Sequence, residues 1–561
     1  MQDMITLFVS MRRDGRSLGQ MARDELGPLG GVAALIGTLL IMVILSAVLG
    51  LVIVNVMKHS PWATATVLAT IPAAIIVGVY LRIWRPGRVL EGTVLGVVLV
   101  LLALLGGGWL DHQPQLHGLF DYSALTLSGI IIAYGFFAAI LPVWLLLAPR
   151  DYLSTFLKLG TIVLLAVAIV ITHPQIKMPA ITPFVDGTGP LFGGKVFPFV
   201  FITIACGAIS GFHALIASGT SPKLISNETD VRLVGYGSMA LESFVAIMAL
   251  IAATLLDPGV FFAINTGAGV VGATPEAAVH TISGWGFPVT VEQMQALAAS
   301  MGEQTLFART GGAPSLAVGM ASIFGSTFGQ GLLALWYHFA IMFEAVFLLA
   351  TLDAGTRVGR FMVQDVLGRA WEPLGRTSWY PSVLLSSAVI VTAWGYFLYI
   401  GVIDPNGGVN ILWPLFGISN QMLAAIALSI ATAIIIKGAR PRYALVTLLP
   451  LAWLALVTTT AAWQKITSPD VRIGLFAAAN DLAAKLAAGT LPPERAAVAP
   501  QLIFNQRLDA WLALLFTTIL WLVILDMARI CVRRLRGQSV PASSEVPYRE
   551  SQLKLLAQAA P

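Results

Sequence analysis

Residues 197–220 read Phe197-Pro-Phe-Val-Phe-Ile-Thr-Ile-Ala-Cys-Gly-Ala-Ile-Ser-Gly-Phe-His-Ala-Leu-Ile-Ala-Ser-Gly-Thr220. The stretch is apolar and long enough to cross a bilayer, yet Gly207, Ser210, Gly211 and His213 stand at its middle. Glycine weakens a helix, serine competes for backbone hydrogen bonds and histidine is ionisable. Hydrocarbon penalises each of them unless it faces protein, water or a ligand. A crossing segment that softens at mid-depth is where a carrier holds its cargo. The competing reading is a small-residue packing face, Gly207-Ala-Ile-Ser-Gly211. Packing accounts for the glycines and the serine but gives no reason for His213.

The rest of the chain has the same solvent. Of 561 residues, 57% are hydrophobic and only 11% charged, against about 25% charged in soluble domains. The expected fold class is an all-α polytopic membrane protein. Its net charge of +5 does not argue for nucleic acid, because the basic residues sit between apolar runs. Cys206 and Cys531 offer neither a disulfide framework nor a zinc site. The opening residues, Met1-Gln-Asp-Met-Ile-Thr-Leu-Phe-Val-Ser10, are apolar only from Met4 to Val9, too short to cross and unlike a cleavable signal.

Hydropathy predicts twelve crossings: 28–57, 62–83, 89–109, 123–148, 152–173, 196–219, 232–255, 330–355, 380–402, 411–437, 441–464 and 508–531. Lys and Arg alternate across them. Of 33 basic residues, 24 fall on one set of loops and termini, from Arg12, Arg13, Arg16 and Arg23 to the cluster Arg529–Arg536. That bias makes both ends cytoplasmic. The membrane domain is expected to cover 1–537, with two long non-cytoplasmic segments, 256–329 and 465–507. These hold short helices at Thr290–Ala299 and Gly474–Ala488. The polar tail 538–561 is expected to be disordered.

Two carboxylates lie deep in predicted crossings. Glu242 is central in Gly235-Tyr-Gly-Ser-Met-Ala-Leu-Glu-Ser-Phe, and Glu344 in Trp336-Tyr-His-Phe-Ala-Ile-Met-Phe-Glu. At such depth an ionised carboxylate costs at least ~2.5 kcal/mol, so it must be paired, protonated or wetted. Either residue is a candidate for proton coupling or a buried hydrogen-bond hub. His213 and His338 are candidate proton relays or satisfied core histidines. Ser210 and His213, three residues apart, share one helix face. Asn420 and Gln421 either bond cargo or lock helices together. Asp353-Ala-Gly-Thr-Arg357, Arg150-Asp151 and Arg13-Asp14 close spans at the cytoplasmic face, as gate ion pairs or interface anchors.

Enzyme motifs fail on inspection. Gly189-Pro-Leu-Phe-Gly-Gly-Lys195 imitates a phosphate loop, but Val196 replaces the Ser or Thr that would hold magnesium. No His-Glu-x-x-His zinc motif occurs, and no nucleotide-binding module is present to power primary transport. No cofactor or metal is expected; a proton or sodium gradient would supply the driving force.

Several strings resemble the carbon starvation protein A family. They are Ile204-Ala-Cys-Gly-Ala-Ile-Ser-Gly-Phe-His-Ala-Leu-Ile-Ala-Ser-Gly-Thr220, Leu141-Pro-Val-Trp-Leu-Leu-Leu-Ala-Pro-Arg-Asp-Tyr-Leu-Ser-Thr155 and Met178-Pro-Ala-Ile-Thr-Pro-Phe-Val-Asp-Gly-Thr-Gly-Pro190. Trp336–Glu344, Asp353–Arg357 and Trp413-Pro-Leu-Phe-Gly-Ile-Ser-Asn-Gln-Met422 add to them. The resemblance implies a bacterial inner-membrane carrier for peptides and pyruvate under nutrient limitation, driven by protons. It also implies kinship with carriers built from inverted five-helix repeats, the LeuT-like core, with extra helices. Relatives continue upstream of Met1 with further helices and a His-His-Phe…Ala-Gly-Ala-Gly-Pro motif that partners the Gly207–Gly211 break. The chain is therefore expected to be short at its amino end and to lack one wall of the cargo site.

The residues and the resemblance together predict a secondary active importer of small organic nutrients. Gly207, Ser210, Gly211, Asn420 and Gln421 are the candidate substrate residues; His213, Glu242, Glu344 and His338 are the candidate coupling residues. The expected partners are the lipid bilayer and a small solute, with no nucleic acid. A passive channel and a membrane nutrient sensor are the alternatives.

Overall fold

The computed structural model describes residues 2–225, 227–404, 409–438, 441–540 and 545. Among them every regular element is a helix. Ten helices are long and apolar enough to cross a membrane, and they coincide with ten of the twelve predicted crossings. The other two depart for local reasons. The stretch 123–148 forms a helix only over Ala124–Ile140. It stops before Pro142, which cannot continue the ladder. The stretch 196–219 divides into Val196–Thr203, Ala205–Ala208 and Gly211–Gly219.

Lengths also depart. Leu333–Ala370 runs for 38 residues, so the Asp353–Arg357 junction lies inside a helix rather than ending one. Pro493–Leu535 runs for 43 residues and takes in much of the segment 465–507. Within the long segments the two short helices are present at Val291–Ser300 and Leu475–Ala487. The first is capped by Thr290, whose Oγ1 accepts from Gln293 N at 3.1 Å. The tail expected from Gln538 lies almost wholly outside the described residues.

The chain forms two compact units. The first comprises residues 1–45, 183–244 and 411–561, the second residues 46–182 and 245–410. In the first unit the helix Gln2–Met11 packs along Gly211–Gly219, with Ser10 Oγ donating to Ser218 O at 3.0 Å. Gly235 permits the approach on its other side, since a Cβ there would come within 2.7 Å of Met4 Cα. Arg13, Glu25 and Lys437 meet in the same unit. Arg13 Nη2 and Lys437 Nζ lie 2.8 and 3.0 Å from the two Glu25 oxygens, all three side chains being almost fully buried. Two cations on one carboxylate hold three elements in register. The Arg13-Asp14 junction thus serves as an anchor of the fold, through Arg13.

In the second unit the other two predicted junctions meet each other. Arg150 Nη1 lies 3.2 Å from Asp353 Oδ2, and Tyr134 donates to the same oxygen at 2.6 Å. Arg357 Nη2 donates to Ala138 O and Leu141 O at 2.9 and 2.8 Å, and Arg360 Nη1 to Ala139 O at 2.6 Å. These guanidinium groups satisfy the carbonyls that the early end of Ala124–Ile140 leaves open.

Candidate functional site

Backbone geometry sets the site. Ile209 (φ −159°, ψ 84°) and Ser210 (φ −76°, ψ 119°) are extended, so helix stops after Ala208 and restarts at Gly211. Such a break frees backbone groups at the depth where hydrocarbon cannot satisfy them. Neighbouring side chains take up part of that deficit. Asn420 Oδ1 accepts from Phe212 N at 3.0 Å, capping the restarted helix from another element. Gln421 Nε2 donates to Phe201 O at 2.6 Å, and its oxygen accepts from Thr458 at 3.0 Å. Gly211 allows the contact, because a Cβ there would fall 1.9 Å from Asn420 O.

Beside the break lies a cavity of about 210 Å³. Asp3, Gly207, Ser210, His213, Glu242 and Thr447 contribute to its wall. His213 Nδ1 lies 3.0 Å from Asp3 Oδ2 and 3.0 Å from Glu242 Oε2. Asp3 and Ser210 are buried, while His213 and Glu242 are half-buried and face the cavity. One ring nitrogen thus faces two carboxylates at the same distance. With neutral imidazole the cluster carries two negative charges, and with imidazolium one. A proton entering the cavity is thus offered an imidazole nitrogen and two carboxylates within hydrogen-bonding distance of it.

Of the predicted residues, Gly207, Ser210, His213 and Glu242 come together. Five others do not join them. Asn420 and Gln421 are buried and bond to the backbone of the broken segment, outside the residues that line the cavity. Gly211 is a packing contact. Glu344 and His338 lie in the second unit. His338 is stacked on Trp62, ring centroids 3.9 Å apart, and Glu344 has no ion pair among the described residues. Asp3 was not foreseen. It precedes an apolar run only six residues long, and its role depends on the contact between Gln2–Met11 and Gly211–Gly219, which hydropathy does not encode.

The second unit holds a different cavity, of about 290 Å³, whose wall includes Asn55, Lys58, His59, Arg309 and Asp404. Arg309 Nη2 lies 2.9 Å from Glu303 Oε2, and Ser60 donates to Glu303 Oε1 at 2.9 Å. Burial pushes the Glu303 carboxyl up to about 7, against the pull of Arg309. Burial, then the nearby Arg309 charge, brings the Lys58 ammonium down to about 8.

Comparison with known proteins follows the same lines. The family model "Carbon starvation protein CstA" matches residues 1–461. The chain belongs to the carbon starvation protein CstA family. It is 50% identical over 554 residues to the "Peptide transporter CstA" of Escherichia coli K12, covering 98% of this chain and 79% of that protein. It is 46% identical over 571 residues to the "Pyruvate/proton symporter BtsT" of the same organism, covering 98% and 80%. A Campylobacter jejuni peptide transporter CstA is 53% identical over 466 residues, 83% of this chain and 66% of the relative. Among solved structures, a manganese transporter of Eremococcus coleocola aligns with a TM-score of 0.37 at 13% identity, over 94% of this chain and 95% of that one. The CstA-family chain is thus a multi-pass bacterial membrane transporter rather than an enzyme.

Proposed function

We propose that this chain is a proton-coupled importer of small organic nutrients, pyruvate or short peptides, used when carbon is scarce. The observation that carries the reading is the His213–Asp3–Glu242 cluster at the edge of a cavity beside a broken helix. The break offers backbone groups and the Ser210 hydroxyl to a solute. The cluster holds the proton that accompanies it. Protonation removes one negative charge from the wall and so changes what the cavity attracts. The names of the relatives supply the substrate classes, and both classes carry a carboxylate. In this reading the protein lies in the bacterial inner membrane with both termini cytoplasmic. The broken segment and Ala124–Ile140 complete twelve crossings around an inverted-repeat core, and no cofactor takes part.

The test is uptake of labelled pyruvate and dialanine into proteoliposomes under an imposed pH gradient, with a sodium gradient as the second arm. Accumulation above the external concentration is expected with the proton gradient, and Glu242→Gln abolishes it while insertion is unchanged. Uptake that follows sodium alone, or proton-driven uptake that persists in Glu242→Gln, removes the cluster from the mechanism.

A further inference from the structure

The cavity of the second unit is built from connections. Lys58 and His59 follow the helix Pro28–Met57, residues 305–310 belong to the segment 256–329, and Asp404 follows Tyr380–Ile403. Ala124 opens the helix Ala124–Ile140. The Lys and Arg alternation puts every one of these connections on the non-cytoplasmic side.

Its chemistry is charged: Lys58, Arg309 and Asp404 all line it. Arg309 is buried and held by Glu303 and by the His59 carbonyl, 2.9 and 3.3 Å away. Lys58 is half-buried, and its ammonium has no hydrogen bond or ion pair among the described residues. Two cations therefore share one small enclosure, and Glu303 is bound to the further one. Asn55 adds an amide, its Nδ2 3.5 Å from Thr310 Oγ1. Ala124, the first residue of Ala124–Ile140, adds to the same wall. Asp404 also lines the cavity, so that with Glu303 two carboxylates stand against the two cations. The wall is held in an unusual backbone state: His59 (φ 51°) and Ala308 (φ 53°) are both left-handed without being glycine. Such conformations persist where surrounding structure enforces them and recur at binding sites.

We infer that this cavity receives the carboxylate of an incoming solute, with Lys58 and Arg309 as its counter-charges and Asn55 as a neutral donor. The inference rests on the transport reading for the identity of the solute. It adds a second site, distinct from the proton-sharing cluster, where anionic solute gathers on the side from which it is taken up. A partly desolvated ammonium beside a guanidinium gains more from a carboxylate than either would in water. Chloride lacks the paired oxygens that let one anion bridge two donors.

Lys58 provides its own reporter, because an amine of lowered pKa acylates readily near pH 8. The full chain in detergent is treated briefly with an amine-acylating reagent. Modification at Lys58 is followed by mass spectrometry of its peptide, with exposed Lys177 as internal control. Sodium pyruvate, dialanine and sodium chloride are compared at equal ionic strength. Pyruvate or dialanine is expected to slow acylation of Lys58 about fivefold and saturably, with chloride and Lys177 nearly inert. Asn55→Ala should weaken the protection. Protection by pyruvate alone or by dialanine alone identifies which solute docks. Equal protection by chloride, or none by either solute, overturns the site. His213→Ala separates the two proposals: it should abolish proton-driven uptake and leave Lys58 protection intact. Loss of protection with uptake preserved in the wild type would sink this inference and spare the transport reading.

Discussion

The two units solve opposite electrostatic problems. In the first, two carboxylates crowd one imidazole nitrogen, and excess negative charge waits for a proton. In the second, Arg309 is paired, and Lys58 lines the cavity with no side-chain ion pair among the described residues, a cation that waits for an anion. Two buried charge clusters elsewhere are balanced by contact. Glu25 is clasped by Arg13 and Lys437, and Arg150 by Asp353 and Tyr134. The contrast teaches where to look for function in a membrane protein rich in buried ions. Closed clusters hold helices together, while clusters left one charge short line cavities.

The most severe way to break the comparison is to remove the shared nitrogen. His213→Ala leaves Asp3 and Glu242 facing each other with no donor between them. Proton-driven uptake should fall by about 100-fold or more, as for loss of an acid–base group. Asp3→Asn, which leaves the His213–Glu242 contact, should cost less, on the order of tenfold. Equal uptake in His213→Ala and wild type under the same gradient would show that the first cavity needs no shared proton.

A second break attacks the frame that holds this cavity open. Gly211→Ala would drive a methyl into Asn420 O, backbone that cannot swing aside. Overpacking of this kind costs about 1–3 kcal/mol. The expected outcome is a lower unfolding temperature in detergent with uptake reduced in parallel, and an unchanged pH dependence of the residual uptake. A shifted pH dependence would mean that Gly211 belongs with the proton-sharing groups and not with the packing.

Much of this was legible in the sequence, and the remainder was not for identifiable reasons. Length and hydropathy locate ten spans because crossing a bilayer is a one-dimensional constraint. The break at Ser210 was legible because glycine and serine act locally on the backbone. Asp3 was not, since its meaning arises from packing Gln2–Met11 on Gly211–Gly219. Asn420 and Gln421 look like cargo ligands in a one-dimensional reading because a polar pair in an apolar helix has the same appearance whether it binds solute or caps a neighbour. Lys58 and Arg309 are 251 positions apart in the chain and read simply as loop charges. Only folding puts them on one wall.

Lys58→Gln sharpens the contrast from the other side. It removes a docking charge and touches nothing in the first cavity. The half-saturating concentration for uptake should rise about tenfold, with maximal rate within about twofold. The proton stoichiometry should stay the same. A fall in maximal rate at unchanged half-saturation would move Lys58 from docking to the transport step itself.

The smallest effect is one of stability, and it gives each side of the second cavity its own sign. The Glu303 carboxyl, pushed up to about 7, binds more proton in the folded than in the unfolded chain between the ordinary carboxylate range and 7. Its contribution is therefore fully present at low pH and is lost as pH rises through about 7. Lys58, brought down to about 8, binds less proton when folded between about 8 and the ordinary lysine value. In that higher window stability rises with pH. Thermal unfolding in detergent should thus weaken from pH 5 to 7 and recover above pH 8, each change on the order of 1–3 kcal/mol. Glu303→Gln should flatten the lower limb and Lys58→Gln the upper one. If both limbs persist in the two variants, other groups govern the pH response. The second cavity is then as fully balanced as the Glu25 cluster, and the contrast between a waiting cation and a waiting carboxylate fails.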